Sequence, residues 1–153
     1  MPRSPSRSTG RRSRPVRRVH TLPSPYYDEL FDAHLEWVYE DGTDIVFDLR
    51  TLQLDEPPVP QIVSGQPYEL LRGRHIAQRL RFPQATWAQR SGPFAEVNTL
   101  PPHHDARRIF LFQRLLAPDW GEIYVLGSAY AEDGLLVVRA HDCLLEARDE
   151  APQ

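Results

Sequence analysis

Large apolar residues alternate with polar ones over two neighbouring stretches, Leu35-Glu36-Trp37-Val38-Tyr39 and Ile45-Val46-Phe47-Asp48-Leu49. That period of two belongs to a strand with one buried face. Asp41-Gly42-Thr43 lies between them. A three-residue loop there predicts Tyr39 opposite Ile45, Trp37 opposite Phe47 and Leu35 opposite Leu49, with every large side chain on one face. Glu36 then faces Asp48 on the other side, with His34 opposite Arg50, and Gly42 is expected at positive φ.

Upstream, Tyr27, Leu30, Phe31 and Leu35 recur at helical spacing behind Ser24-Pro25, with Asp28 and Glu29 in the first turn. This predicts a short helix over 26–35, with Ser24 as its N-cap and Pro25 opening it. Downstream, four prolines and a glycine over 55–67 predict a loop or edge crossing. Residues 74–82 alternate again, with Ile76, Leu80 and Phe82 on one face and His75, Arg79 and Arg81 on the other. A helix over 68–80 competes, but Gly73 stands inside it. Residues 91–106 read as a long loop. The last third reads as a meander with strands at 108–115, 122–130, 135–140 and 143–147, the middle pair joined by Glu132-Asp133-Gly134.

The pattern therefore predicts a mostly β fold, a small single-domain antiparallel β-sandwich or partly open barrel with one short N-terminal helix. It places this domain at 23–149, between a disordered arginine-rich tail at 1–22 and a disordered C-terminus at 150–153.

Charge sharpens the division. Residues 1–18 hold seven arginines and no acid, which leaves eleven cations against all twenty-one carboxylates in the remainder, a net of −10. Every cation is arginine, which a GC-rich genome explains without function. Three readings of the tail compete: a nucleic-acid arm, an organelle transit segment, and a mis-assigned start or inert tail. The single cysteine, Cys143, has no partner for an internal disulfide, and no apolar run nears the ~18 residues of a membrane helix. The expectation is a soluble, cytoplasmic protein.

Candidate chemistry is sparse. No acid occurs between Glu69 and Glu96, where Arg72, Arg74, Arg79, Arg81 and Arg90 accompany Phe82, Trp87 and Phe94. Together with Arg11, Arg12, Arg14, Arg17 and Arg18 of the tail, these side chains suit phosphate contact and base stacking. The plainer reading, favoured by the acidic body, is a strand face whose arginines pair with carboxylates. His103, His104 and Asp105 are candidate metal ligands, with His75, or His141 with Cys143, as further ones, although adjacent histidines on extended backbone point apart. His141 beside Cys143 on a strand faces away from it, so a buried inert thiol is expected rather than a nucleophile. Glu36 opposite Asp48 reads as an acid/base dyad or, more simply, as a site where Glu36 pairs diagonally with Arg50. No phosphate-cradling glycine loop, nucleophile elbow or paired-cysteine motif is present, so the sequence names no cofactor. The expected function is a small non-enzymatic binding module, contacting nucleic acid or another acidic macromolecule through the tail and the Arg72–Arg90 stretch. The alternative is a small metal-dependent enzyme or metal-binding protein using His103, His104 and Asp105.

Overall fold

The computed structural model describes residues 19–149, and over them the chain is mostly β. In chain order the strands are β1 (His20–Leu22), β2 (Ala33–Asp41), β3 (Asp44–Leu54), β4 (Val59–Val63), β5 (Gln66–Leu70) and β6 (Gly73–Phe82). They continue with β7 (Thr86–Arg90), β8 (Arg108–Ile109), β9 (Leu111–Ala117), β10 (Gly121–Gly127), β11 (Leu135–Arg139) and β12 (Leu144–Ala147). Two one-turn helices, α1 (Tyr27–Leu30) and α2 (Gly92–Ala95), and three 3-10 turns complete the described elements. One antiparallel sheet has the order β1-β9-β10-β11-β7 and a second the order β12-β6-β3-β2-β8; β4 and β5 form a separate hairpin.

The two sheets share one core. Leu35, Val38, Ile45, Phe47, Leu49, Leu80 and Phe82 of the second sheet pack with Phe112, Tyr124, Leu126, Leu136 and Val138 of the first. Aromatic pairs cross between them: Phe82 meets Tyr124 at 5.1 Å between ring centroids, and Phe47 stacks on Trp87 at 6.0 Å. Burial pushes the Tyr124 hydroxyl up to about 12. A smaller apolar cluster, Ile123, Val125 and Val137, lies on the other face of the first sheet. Among the described residues no helix is long and apolar enough to cross a membrane.

The first hairpin forms, but its register departs from strict alternation. Its loop is Gly42-Thr43, with Gly42 at φ 62 and Asp41 opposite Asp44. Leu35 stays opposite Leu49 as predicted; Val38, not Trp37, faces Phe47, and Trp37 faces Asp48. The cause is a β-bulge between Leu35 and Trp37 that admits Glu36 as an extra residue, so the inward positions become Ala33, Leu35 and Val38. Trp37 is consequently 51% exposed and Val38 only 4%.

Other expectations are corrected by longer-range pairing. The helix over 26–35 shrinks to α1 because Asp32 takes φ 66 and Ala33 begins β2. Ser24 does not cap it; its hydroxyl donates to the Phe112 carbonyl and accepts from the Arg114 N–H, tying the N-terminal segment to β9. Residues 20–22, assigned on sequence to the tail, form β1 against β9. Residues 1–18 and 150–153 lie outside the described residues. The proline-rich 55–67 stretch carries β4 and turns into β5 through Ser64 and Gly65, both at positive φ. The strand expected at 108–115 is divided at Phe110: β8 joins the second sheet and β9 the first. Residues 86–90, given no element on sequence, are an edge strand, β7.

Candidate functional site

The outward face of the second sheet is polar. Arg79 and Arg81 on β6, Asp48 and Arg50 on β3 and Glu36 at the bulge meet Glu146 and Arg148 at the C-terminal edge. Arg81 donates to Asp44 at 2.9 Å, Glu146 at 3.1 Å and Asp41 at 3.2 Å. Arg79 donates to Asp48 at 2.8 Å, and Arg148 donates to Glu36 at 2.5 Å. Arg50 also donates to Glu36, at 3.1 Å, the diagonal pairing the sequence favours. These partners hold Arg79 and Arg81 above the ordinary arginine range. Asp44 is held low, first by the Gln84 N–H and then by Arg81. Both carboxylates of the supposed Glu36–Asp48 dyad are thus committed to arginine.

At one end of this face charge is less fully matched. Arg108 on β8, His34 on β2 and Arg50 on β3 form one cross-strand row, since His34 is opposite both arginines. His75 on β6, opposite Leu52, flanks that row. His103 enters from the loop before β8, and Asp32 from the turn before β2. The six side chains line a cleft of about 400 Å³. Arg107 fixes the loop that carries His103: it donates to the carbonyls of Val97, Leu100 (2.9 Å) and Glu36 (3.1 Å), stapling the 97–107 segment to the bulge of β2. Arg108 is 3.4 Å from Asp32, with both side chains about half exposed. His34 is shifted down by burial first, then by Arg108 and Arg107, against a smaller opposing effect of Asp32. Burial is the largest part of that shift, and the two arginines add positive potential at the cleft, where an anion is stabilised. Guanidinium and imidazole N–H groups converging on one cleft match the oxygens of a phosphate or carboxylate.

The structure sorts the sequence candidates. Of the basic stretch, Arg79 and Arg81 are taken up as above, and Arg72 is 3.5 Å from Glu56. Arg74 stands on β6 opposite Gln53. The Trp87 ring is engaged by Phe47 and by the Arg90 guanidinium, 4.3 Å from its centroid, so it offers no stacking platform. Arg11, Arg12, Arg14, Arg17 and Arg18 fall outside the described residues. Of the metal candidates, His103 faces the cleft, whereas His104 accepts the Ala106 N–H on its Nδ1, and Asp105 borders a different hollow with Phe110 and Tyr130. Among the described residues no three His, Cys, Asp or Glu side chains come close enough to share an ion. Cys143 is buried, and burial pushes its thiol far up, as expected of an inert side chain. His34 opposite Arg50 was legible in the sequence, and His75 and His103 were singled out there as possible ligands. The parts missed were Arg108, concealed in a two-residue strand, and Asp32, on an irregular turn.

Compared with known protein families, curated proteins and solved structures, the chain matches none.

Proposed function

We propose that this chain is a binding module that takes a phosphate-bearing anion in the histidine–arginine cleft. The observation that carries the reading is the convergence of His34, Arg50, His75, His103 and Arg108, from separate elements, on one cleft with a single lining carboxylate. His34, His75, His103 and Arg108 can donate N–H bonds to the oxygens of one phosphate, with Arg50 beside them held by Glu36, and imidazoles let its binding be coupled to proton uptake. Free phosphate compounds and nucleic acid share this chemistry, and the seven arginines of residues 1–18 would add a sequence-independent attraction for the latter.

The test is histidine-detected NMR during titration with inorganic phosphate, repeated with a short oligothymidylate over a range of salt. Phosphate binding should move the His34, His75 and His103 ring signals, and Arg108→Ala should weaken it about tenfold, the loss of one charge-assisted contact. Unmoved histidines at millimolar phosphate would sink the reading. Oligonucleotide binding with a steep salt slope and no histidine response would move the activity to the tail.

A further inference from the structure

Beside the cleft rises an arm. The ladder between β3 and β6 runs on past the sheet through Leu52 opposite His75 and Leu54 opposite Gly73. Asp55 N–H then bonds the Arg72 carbonyl, and the chain continues into the β4–β5 hairpin, every residue of which is exposed except the half-buried Leu70. Arg50, Leu52 and Leu54 share one face of β3, so an apolar stripe begins at the cleft and leads outward to the arm. Leu52 and Leu54 are each 38% exposed on it, and on the arm beyond, Val59 and Tyr68 are exposed on one face of the hairpin and Ile62 on the other. An exposed apolar run continuous with a polar cleft marks a recognition surface.

The same residues say how a partner binds. Ser64-Gly65 is a two-residue turn with both residues at positive φ, so Val63 and Gln66 exchange the first hydrogen bonds of the hairpin. Counting outward, Pro67 and Pro60 fall where the backbone nitrogen points to the free edge. Each edge of the arm is therefore blocked by a proline, and strand addition there is disfavoured. Contact has to be made through side chains. Charge then narrows the chemistry. The cleft holds cationic groups enough for one phosphate, but the arm carries Asp55, Glu56 and Glu69; of its two arginines, Arg72 is beside Glu56, and Arg74, opposite Gln53, alternates away from the face of Arg50, Leu52 and Leu54. In the other direction along the sheet Arg79, Arg81 and Arg148 are bound to carboxylates. A nucleic-acid strand leaving the cleft along the arm meets acids and the aliphatic Leu52 and Leu54, and in the other direction it meets the exposed Trp37 among cations already bound to carboxylates.

We infer that the cleft and the Leu52–Leu54 stripe form one composite surface for a phosphorylated peptide segment, its phosphate held by the histidine–arginine cleft and its aliphatic side chains laid along the stripe toward the arm. This rests on the phosphate reading of the cleft. The experiment uses the full chain and a fluorescein-labelled degenerate nonapeptide pool with central phosphoserine and Leu, Ile or Val at the flanking positions, read by anisotropy. A dephosphorylated pool, a phosphoserine pool with Ser or Gln flanks, and nine-residue oligothymidylate serve as comparisons. The apolar phosphoserine pool should bind about tenfold more tightly than each of these, the burial of two leucines appearing as roughly one decade of affinity. Leu52→Ser with Leu54→Ser should erase that advantage while leaving the histidine response to inorganic phosphate intact, which also shows that the variant is folded. Equal binding of both phosphoserine pools, no effect of the double variant, or tighter binding of oligothymidylate would each overturn the inference while leaving the phosphate site standing. Loss of the histidine response to phosphate in the unaltered chain would instead remove the reading beneath it.

Discussion

Asn98 holds the outer edge of β2 at Val38: its side-chain carbonyl accepts the Val38 N–H at 2.9 Å, and its amide donates to the Val38 carbonyl at 2.8 Å. Among the described residues, beyond the two that pair with β8 the edge of β2 has no neighbouring strand, and one side chain supplies both bonds that a strand would make. Asn98→Ala leaves a buried donor and acceptor to find water, a loss of about 2 kcal/mol. Asn98→Asp keeps the acceptor and removes the donor, so it should fall between. Urea unfolding with an unchanged slope measures both; a midpoint unmoved by Asn98→Ala would show that the edge is held otherwise.

Trp37 and Val38 exchange the roles that alternation gives them. Truncating the half-exposed Trp37 to Ala should cost about 1 kcal/mol or less, while Val38→Ala opens space against Phe47 and should cost about 2 kcal/mol. A larger loss at Trp37 than at Val38 in the same unfolding assay would contradict the bulged register. The strands were legible because Leu35, Phe47 and Leu49 keep period two and β6 keeps it throughout. The bulge was not, because it is imposed from outside the strand: the Glu36 carbonyl receives Arg107, and Val38 receives Asn98, both distant in sequence. The two-residue β8 and the edge strand β7 escaped for a related reason, being too short for periodicity to show.

Arg81 joins three carboxylates, Asp41, Asp44 and Glu146, that would otherwise repel. Arg81→Gln should lose about 2 kcal/mol at pH 7. Because the folded protein holds Asp44 below its ordinary value of 3.8, the stability this carboxylate lends is present above pH 3.8 and is lost as pH falls through its lower, folded value. The gap between variant and parent should therefore narrow in acid. A gap independent of pH, followed by circular dichroism from pH 7 to 2.5, would show that Arg81 acts through packing alone.

Cys143 should resist iodoacetamide at pH 8 in the native protein and react once urea unfolds it, because burial keeps the thiol protonated and out of reach. Rapid alkylation of the folded chain, detected by mass, would restore the thiol as a candidate nucleophile.

His34 links stability, pH and ligand. Its folded value lies below 6.5, so as pH falls below 6.5 the unfolded chain takes up a proton that the folded cleft still refuses. The stability His34 contributes is thus complete above 6.5 and declines as the solution is acidified toward its folded value. Burial opposes protonation most, then Arg108 and Arg107, with His75 adding least, while Asp32 favours protonation less strongly than either arginine opposes it. A bound anion reverses that balance by screening the arginines, so phosphate should raise the melting temperature more at pH 5.5 than at pH 8. Sulfate, which keeps its charge across this range, separates cleft protonation from that of phosphate itself. His34→Gln should flatten the acid decline and shrink the pH dependence of the anion effect, with the residual sulfate stabilisation of that variant measuring the general salt contribution. An anion effect equal at both pH values, or unchanged in His34→Gln, would mean that proton and anion do not meet in this cleft.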